Sequence, residues 1–164
     1  MRVFLSLRPP PAVRAHLAAA VAGMRTTDAA QWHLTLVFLG EIGSERPLLP
    51  GLREVTATTA PMELRLRGGG AFRRAGVVWA GVDGDVAALV RLAGGLARAC
   101  RAGGVRLEER PFSPHLTVAR RARDASGLAG YEGPSWTADE VELVRSRLGA
   151  TARHEVLHRL ALRG

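Results

Sequence analysis

The chain has 164 residues and a mass of 17.5 kDa, enough for one domain or two small lobes sharing a core. With 47% hydrophobic and 23% charged residues and a mean hydropathy of +0.04, it is not composed as a disordered chain. Fifteen acidic residues against 23 basic ones give a formal charge of +8 and a pI near 11.4, a balance that favours polyanionic partners such as nucleic acid; all the basic residues are arginine, so a coding bias contributes to the same excess.

Val3 to Leu7 reads as a short strand, too brief for a signal-peptide core or a membrane span, and Pro9-Pro10-Pro11 supply the turn into a helix from Ala12 to Met24. His33 to Leu39 alternates at its start and ends at Gly40, a second strand. Ser44 to Ala60 is weakly helical, with any helix confined to the part after Pro47 and Pro50. Glu63 to Arg67 and Val77 to Val82 alternate as strands around a loop from Gly68 to Arg74. Asp85 stands where a cap is needed for a helix to Ala102, closed by Gly103-Gly104. Gly94-Gly95 inside that helix weakens it and permits close packing. Cys100, the single cysteine, falls on its apolar face, so no intrachain disulfide forms and a reducing cytoplasm is expected. After a loop from Arg106 to Pro114 comes the strand His115 to Ala119, then a glycine-rich stretch with a short helix at best, then strands at Glu140 to Leu148 and His154 to Leu162. Seven or eight short strands with three or four helices, not uniformly alternating, indicate an α+β fold in a single domain over residues 1–164.

His33-Leu34-Thr35-Leu36 and His115-Leu116-Thr117-Val118 share the form His-x-Thr-x, 82 positions apart, half the chain length. In a strand His33 and Thr35 point one way and Leu34 and Leu36 the other, and the same holds for His115 and Thr117. One copy alone reads as the solvated face of a half-buried strand, but two His-Leu-Thr copies arise by chance only about once in a thousand such chains. The doubling predicts two lobes related by a pseudo-twofold axis, each presenting an imidazole and a hydroxyl to one cleft. Such a set suits in-line chemistry at phosphorus. One neutral imidazole accepts a proton, one imidazolium gives one, and the threonine hydroxyls hydrogen-bond the non-bridging oxygens, with no metal or other cofactor required.

These residues, together with Met1 to Leu7 and the prolines after it, the run from His33 to Gly40, Gly70-Ala71-Phe72, Arg110 to Arg120, and Val144-Arg145-Ser146, resemble the two-histidine phosphoesterase superfamily. Within it they are most similar to the RNA 2′,3′-cyclic phosphodiesterases of the ThpR/LigT type, once called 2′-5′ RNA ligases. The resemblance implies a bilobal fold of two antiparallel sheets with flanking helices around a central cleft. It further implies hydrolysis of 2′,3′-cyclic phosphate ends on RNA to 2′-phosphates, with reversible 2′-5′ ligation as a secondary reaction. The resemblance implies His33 and His115 as the acid/base pair; His33 as acid toward the 3′ oxygen and His115 as base toward water is the favoured order, and the sequence leaves the reverse order open. Thr35 and Thr117 are then expected to hold the phosphate; Arg120 reads as an anion contact and Phe72 with Arg73 and Arg74 as nucleotide contacts, with a core aromatic and solvated arginines as the equally open alternative. A monomer acting on RNA away from membranes is expected. Trp32, Ser113, Ala152 and His154 depart from the family's pattern.

Two other function classes stay open at this level: an esterase for another small cyclic phosphate, and an RNA-binding module without turnover. A third motif competes for the same chain. His154-Glu155-Val156-Leu157-His158 matches the zinc-protease form H-E-x-x-H, but no His, Asp or Glu follows it to serve as a third ligand. Read as a strand, it is expected to carry His154, Val156, His158, Leu160 and Leu162 on one face. His16 reads as a helix-surface residue.

Overall fold

The computed structural model describes residues 1–150 and 152–164. Among the described residues eight strands and three α-helices follow in the order β1 (Arg2–Leu7), α1 (Pro11–Ala20), β2 (Leu34–Glu41), α2 (Leu49–Ala57), β3 (Met62–Phe72), β4 (Val77–Gly84), α3 (Val86–Ala102), β5 (His115–Arg120), β6 (Glu132–Ala138), β7 (Glu140–Arg147) and β8 (Arg153–Ala161). Every strand pair is antiparallel, and the order across the sheet is β6-β3-β4-β5-β2-β1-β7-β8.

The α+β class is as expected, but the two sheets are one curled sheet. Its halves, β6-β3-β4-β5 and β2-β1-β7-β8, meet where β2 pairs with β5 through a single residue pair, Leu34 with Leu116. That pair marks the pseudo-twofold axis, because the two leucines occupy the same place in the two motifs. The helices cover one face of the sheet and bury the leucines of the strands. Helix α1 lies against β6 at one edge, α2 against β8 at the other, and α3 packs on α2 and β2. In α3, Leu89, Leu92, Ala93, Leu96 and Cys100 recur at helical spacing and are buried. Gly95 lets α2 approach, since a Cβ there would stand 3.2 Å from Val55 Cγ1. Burial raises the Cys100 thiol to a pKa of about 11, so it is a packing residue and a poor nucleophile.

Three segments differ from the sequence reading. Helix α1 stops at Ala20, four residues early, in a turn over residues 21–24. The loop expected from Gly68 to Arg74 is in large part strand: β3 continues to Phe72 through a register shift between Leu66 and Gly69, where Gly68 takes φ +62°. The glycine-rich stretch after β5 contains β6, disguised by Gly133 and Pro134. As β6 pairs only with β3, its proline costs no ladder bond to a second neighbour.

Candidate active site

Both motif strands carry a β-bulge at equivalent positions. Ser6 pairs with Thr35 but Leu5 with Val37, leaving Leu36 unpaired on β2; Trp79 pairs with Thr117 but Val78 with Ala119, leaving Val118 unpaired on β5. Each bulge shifts the alternation by one, so burial along residues 33–38 and 115–120 runs in the same order, half-buried, buried, half-buried, buried, buried, exposed. Strict alternation would send residues 38 and 120 into the core. The bulges return Phe38 and Arg120 to the face that carries the histidines and threonines. The motif residues therefore share one face, opposite the helices, and flank the Leu34–Leu116 seam. Extended by one residue each way, that register sets His33 across from Thr117 and Thr35 across from His115.

The imidazoles are anchored alike. His33 donates its Nδ1–H to the Gln31 carbonyl at 2.8 Å, and His115 donates its Nδ1–H to the Ser113 carbonyl at 2.8 Å. A carbonyl only accepts, so in the neutral form Nδ1 carries the proton on both rings and Nε2 keeps its lone pair. The Nε2 of His33 lies 3.0 Å from Thr35 Oγ1.

Beyond those bonds the surroundings diverge. His33 stacks on Phe4 at 4.7 Å between centroids and meets the edge of His154 at 5.3 Å. Burial, opposed by the bond to Gln31 and reinforced by the nearby His154, Arg120 and Arg8, pushes its pKa down to about 4. His115 lies edge-on to Phe72 at 5.1 Å and faces Trp79 at 6.3 Å. Phe72, Val77 and Arg120 are in register across β3, β4 and β5, so Phe72 and Arg120 share the motif face. Trp79 sits close over Gly70, where a Cβ would stand only 2.6 Å from the ring.

Six of the eight residues expected at the site, His33, Thr35, Phe72, His115, Thr117 and Arg120, are thus on one face around the seam, while Arg73 and Arg74 lie beyond the end of β3. Arg8, at the end of β1, was not anticipated. It pairs with the buried Glu142 at 3.1 Å, and its charge reaches both His33 and His154. No motif marks it, since one arginine after a strand is commonplace in a chain holding 23. His154 is the other addition: burial and then Arg8 lower its pKa. Trp32 is buried and donates its indole N–H to Thr27 Oγ1 at 3.0 Å, while the Thr27 N–H reaches the Val118 carbonyl at 2.9 Å. It ties the approach to β2 onto β5. His16 is exposed on α1, and its Nδ1 is 2.8 Å from the Tyr131 hydroxyl.

The H-E-x-x-H stretch is β8, and one expectation about it needs correcting. A bulge at Leu157 pairs Val156 with Val144 but His158 with Leu143, so His154 and His158 fall on opposite faces of the sheet. His154 joins the motif face, and His158 turns to Glu45 at 3.3 Å near the helices. Among the described residues no three metal-ligating side chains gather. No helix there is long and apolar enough to cross a membrane.

A family model described as the 2′-5′ RNA ligase superfamily matches residues 9–150. The chain is 33% identical over 145 residues to the RNA 2′,3′-cyclic phosphodiesterase of Geobacillus stearothermophilus, an alignment covering 81% of this chain but only 46% of that protein. It is 34% identical to the RNA 2′,3′-cyclic phosphodiesterase of Thermus thermophilus, covering 100% of this chain and 91% of that protein. Among solved structures, TT0787 of Thermus thermophilus superposes with a TM-score of 0.85 at 33% identity, covering 100% of this chain and 99% of the other. The E. coli LigT complex with 3′-AMP superposes with a TM-score of 0.82 at 28% identity, covering 98% and 97%.

Proposed function

The chain belongs to the 2′-5′ RNA ligase superfamily, and on that premise we propose that it is a phosphoric diester hydrolase opening 2′,3′-cyclic phosphate ends of RNA to 2′-phosphates. The observation that carries this reading is the pair of imidazoles, each held by an Nδ1–H bond to the carbonyl two residues before it, on one face beside a single seam. Relatives named for the same activity support the substrate class.

In this reaction one Nε2 takes a proton from water as its oxygen attacks phosphorus, and the other Nε2–H gives a proton to the 3′ oxygen as its bond to phosphorus breaks. The products are a 2′-phosphomonoester and a free 3′ hydroxyl. Thr35, Thr117 and Arg120 meet the non-bridging oxygens where charge builds, and Phe72 borders the nucleotide. With His33 as the acid, its low pKa must rise when the anionic phosphodiester arrives. The anion offsets Arg8 and Arg120, both of which press that pKa down in the protein alone. A 5′ hydroxyl replacing the water would give a 2′-5′ linkage by the same proton path. The enzyme so proposed works as a cytoplasmic monomer with residues 1–164 as one domain.

The test is incubation with an RNA oligonucleotide ending in a 2′,3′-cyclic phosphate, with EDTA present, resolving the 2′- and 3′-phosphate products. Conversion to the 2′-phosphate that both His33→Ala and His115→Ala abolish is the expected result. Conversion that ignores either substitution, or that EDTA stops, overturns the two-histidine reading.

A further inference from the structure

We infer that a basic groove beyond Arg120 binds the RNA backbone upstream of the cyclic end, making an oligonucleotide, and not a mononucleotide, the preferred substrate. The inference rests on the activity proposed above for its substrate, and on independent geometry for its site.

Arg120 is the last residue of β5. It shares the face of the histidines, its charge is felt at His33, and it also lines a cavity of about 720 Å³ that leads away from the seam. Arg25, Arg121 and Arg123 line the same cavity. A second cavity of about 540 Å³ shares Arg123 and adds Arg73 from the end of β3. Among the described residues none of these five arginines is in an ion pair, as holds for most arginines of the chain; what sets these five apart is that they line two adjoining cavities. Five unneutralised guanidiniums in one place repel one another and await an anion.

The lining is also held in shape. Arg121 is the only non-glycine residue with positive φ among the described residues, at +55°. A bond from the Ala122 N–H to the Gly76 carbonyl at 3.1 Å fixes this turn, and Gly76 itself takes φ +67°. Left-handed backbone costs an arginine about 1 kcal/mol, a strain kept here where the chain turns two adjacent arginines outward. Arg123 is steadied by a bond from Nε to the Arg73 carbonyl at 3.1 Å. The one acid in the groove, Asp124, is engaged by its own turn, accepting the Ser126 N–H at 2.9 Å. Met24, half-buried in the turn after α1, adds an apolar border suited to a base. Repeated phosphates beside apolar bases are what a single RNA strand offers and a lone phosphate does not.

The experiment measures kcat/KM for a 2′,3′-cyclic mononucleotide and for a hexaribonucleotide with the same end. It also measures, by fluorescence anisotropy across a salt series, binding of a labelled hexaribonucleotide ending in a 2′-phosphate. Both are done for the wild type and for the triple variant Arg25→Gln, Arg121→Gln, Arg123→Gln. The expected wild type prefers the hexamer by about tenfold or more, and the variant loses most of that ratio. The slope of log affinity against log salt becomes shallower by about 2, at roughly 0.7 for each lost phosphate contact.

Equal kcat/KM for the two substrates in the wild type, or an unchanged salt slope in the variant, overturns the groove while leaving the hydrolase intact. A wild type that hydrolyses neither substrate overturns the hydrolase, and the salt slope still decides the groove. ATP serves as a competitor. If the variant loses ATP affinity but keeps its hexamer affinity, the groove is a nucleotide-polyphosphate site and the RNA assignment fails.

Discussion

Leu34 and Leu116 pair across the seam between the two halves of the sheet, and each immediately follows a motif histidine. One rung of backbone pairing therefore sets how the two imidazoles stand to each other. On the proposed mechanism, in which both rings act on one phosphorus, the expected outcome of His33→Gln or His115→Gln is a fall in kcat of about 10²- to 10⁴-fold. The double variant should be little worse than the poorer single one, since groups that act as a unit are not additive. Single-turnover hydrolysis of cyclic-ended RNA measures this, and fully multiplicative losses would argue against a concerted pair.

Acid stability gives a second test. In the folded protein His33 takes up its proton only near pH 4, against about 6.5 in an unfolded chain. Between those values the unfolded chain binds the extra proton, so the stability contributed by the neutral ring is fully present above pH 6.5 and lost as pH falls toward 4. The full loss is on the order of 3 kcal/mol. His154, also lowered, acts in the same direction. Urea unfolding at pH 7 and pH 4.5 should show a smaller drop for His33→Gln than for the wild type, and equal drops would contradict the burial argument.

A third prediction concerns proton loading. If His33 is the acid, binding a nucleoside 2′-phosphate should move its imidazole pKa from about 4 toward neutrality, read as ring chemical shifts against pH. A pKa that stays near 4 in the complex would transfer the acid role to His115.

Gly70 offers a substitution at a distance. A Cβ there would stand 2.6 Å from Trp79 Cζ2, closer than real Cβ atoms come, so in Gly70→Ala the indole must move. Trp79 lies 5.4 Å from Phe72 and 6.3 Å from His115. A shift of about 1 Å at a reacting group costs on the order of a hundredfold, and kcat/KM is expected to fall by about tenfold to a hundredfold. Unaltered kinetics would separate the Trp79 wall from the chemistry.

His158→Gln should leave cyclic-phosphate hydrolysis at the wild-type rate, since His158 faces the helices and pairs with Glu45. The stability change should be below about 1 kcal/mol, in keeping with a partly solvated pair. A large loss of activity would return attention to the β8 motif.

The repeated His-Leu-Thr made the site legible because a period of two on a half-buried strand sorts polar from apolar without knowledge of the partners. The bulges at Leu36, Val118 and Leu157 carry no such mark. They change the face of Phe38, Arg120 and His158 through cross-strand pairing, which single-strand periodicity does not contain. For that reason His154 and His158 were expected on one face and are on two. β6 was hidden by residues that break central strands and are tolerated at an edge. Arg8 depends on Glu142, 134 positions away, a distance no local pattern spans.

The bonds that orient the two imidazoles end on main-chain oxygens, at Gln31 and Ser113. Any amino acid presents the same oxygen, so the tautomer is written in the path of the backbone and not in the identity of those two residues. Substitutions at positions 31 and 113 are then free to reshape what surrounds the substrate while the proton stays on the same nitrogen.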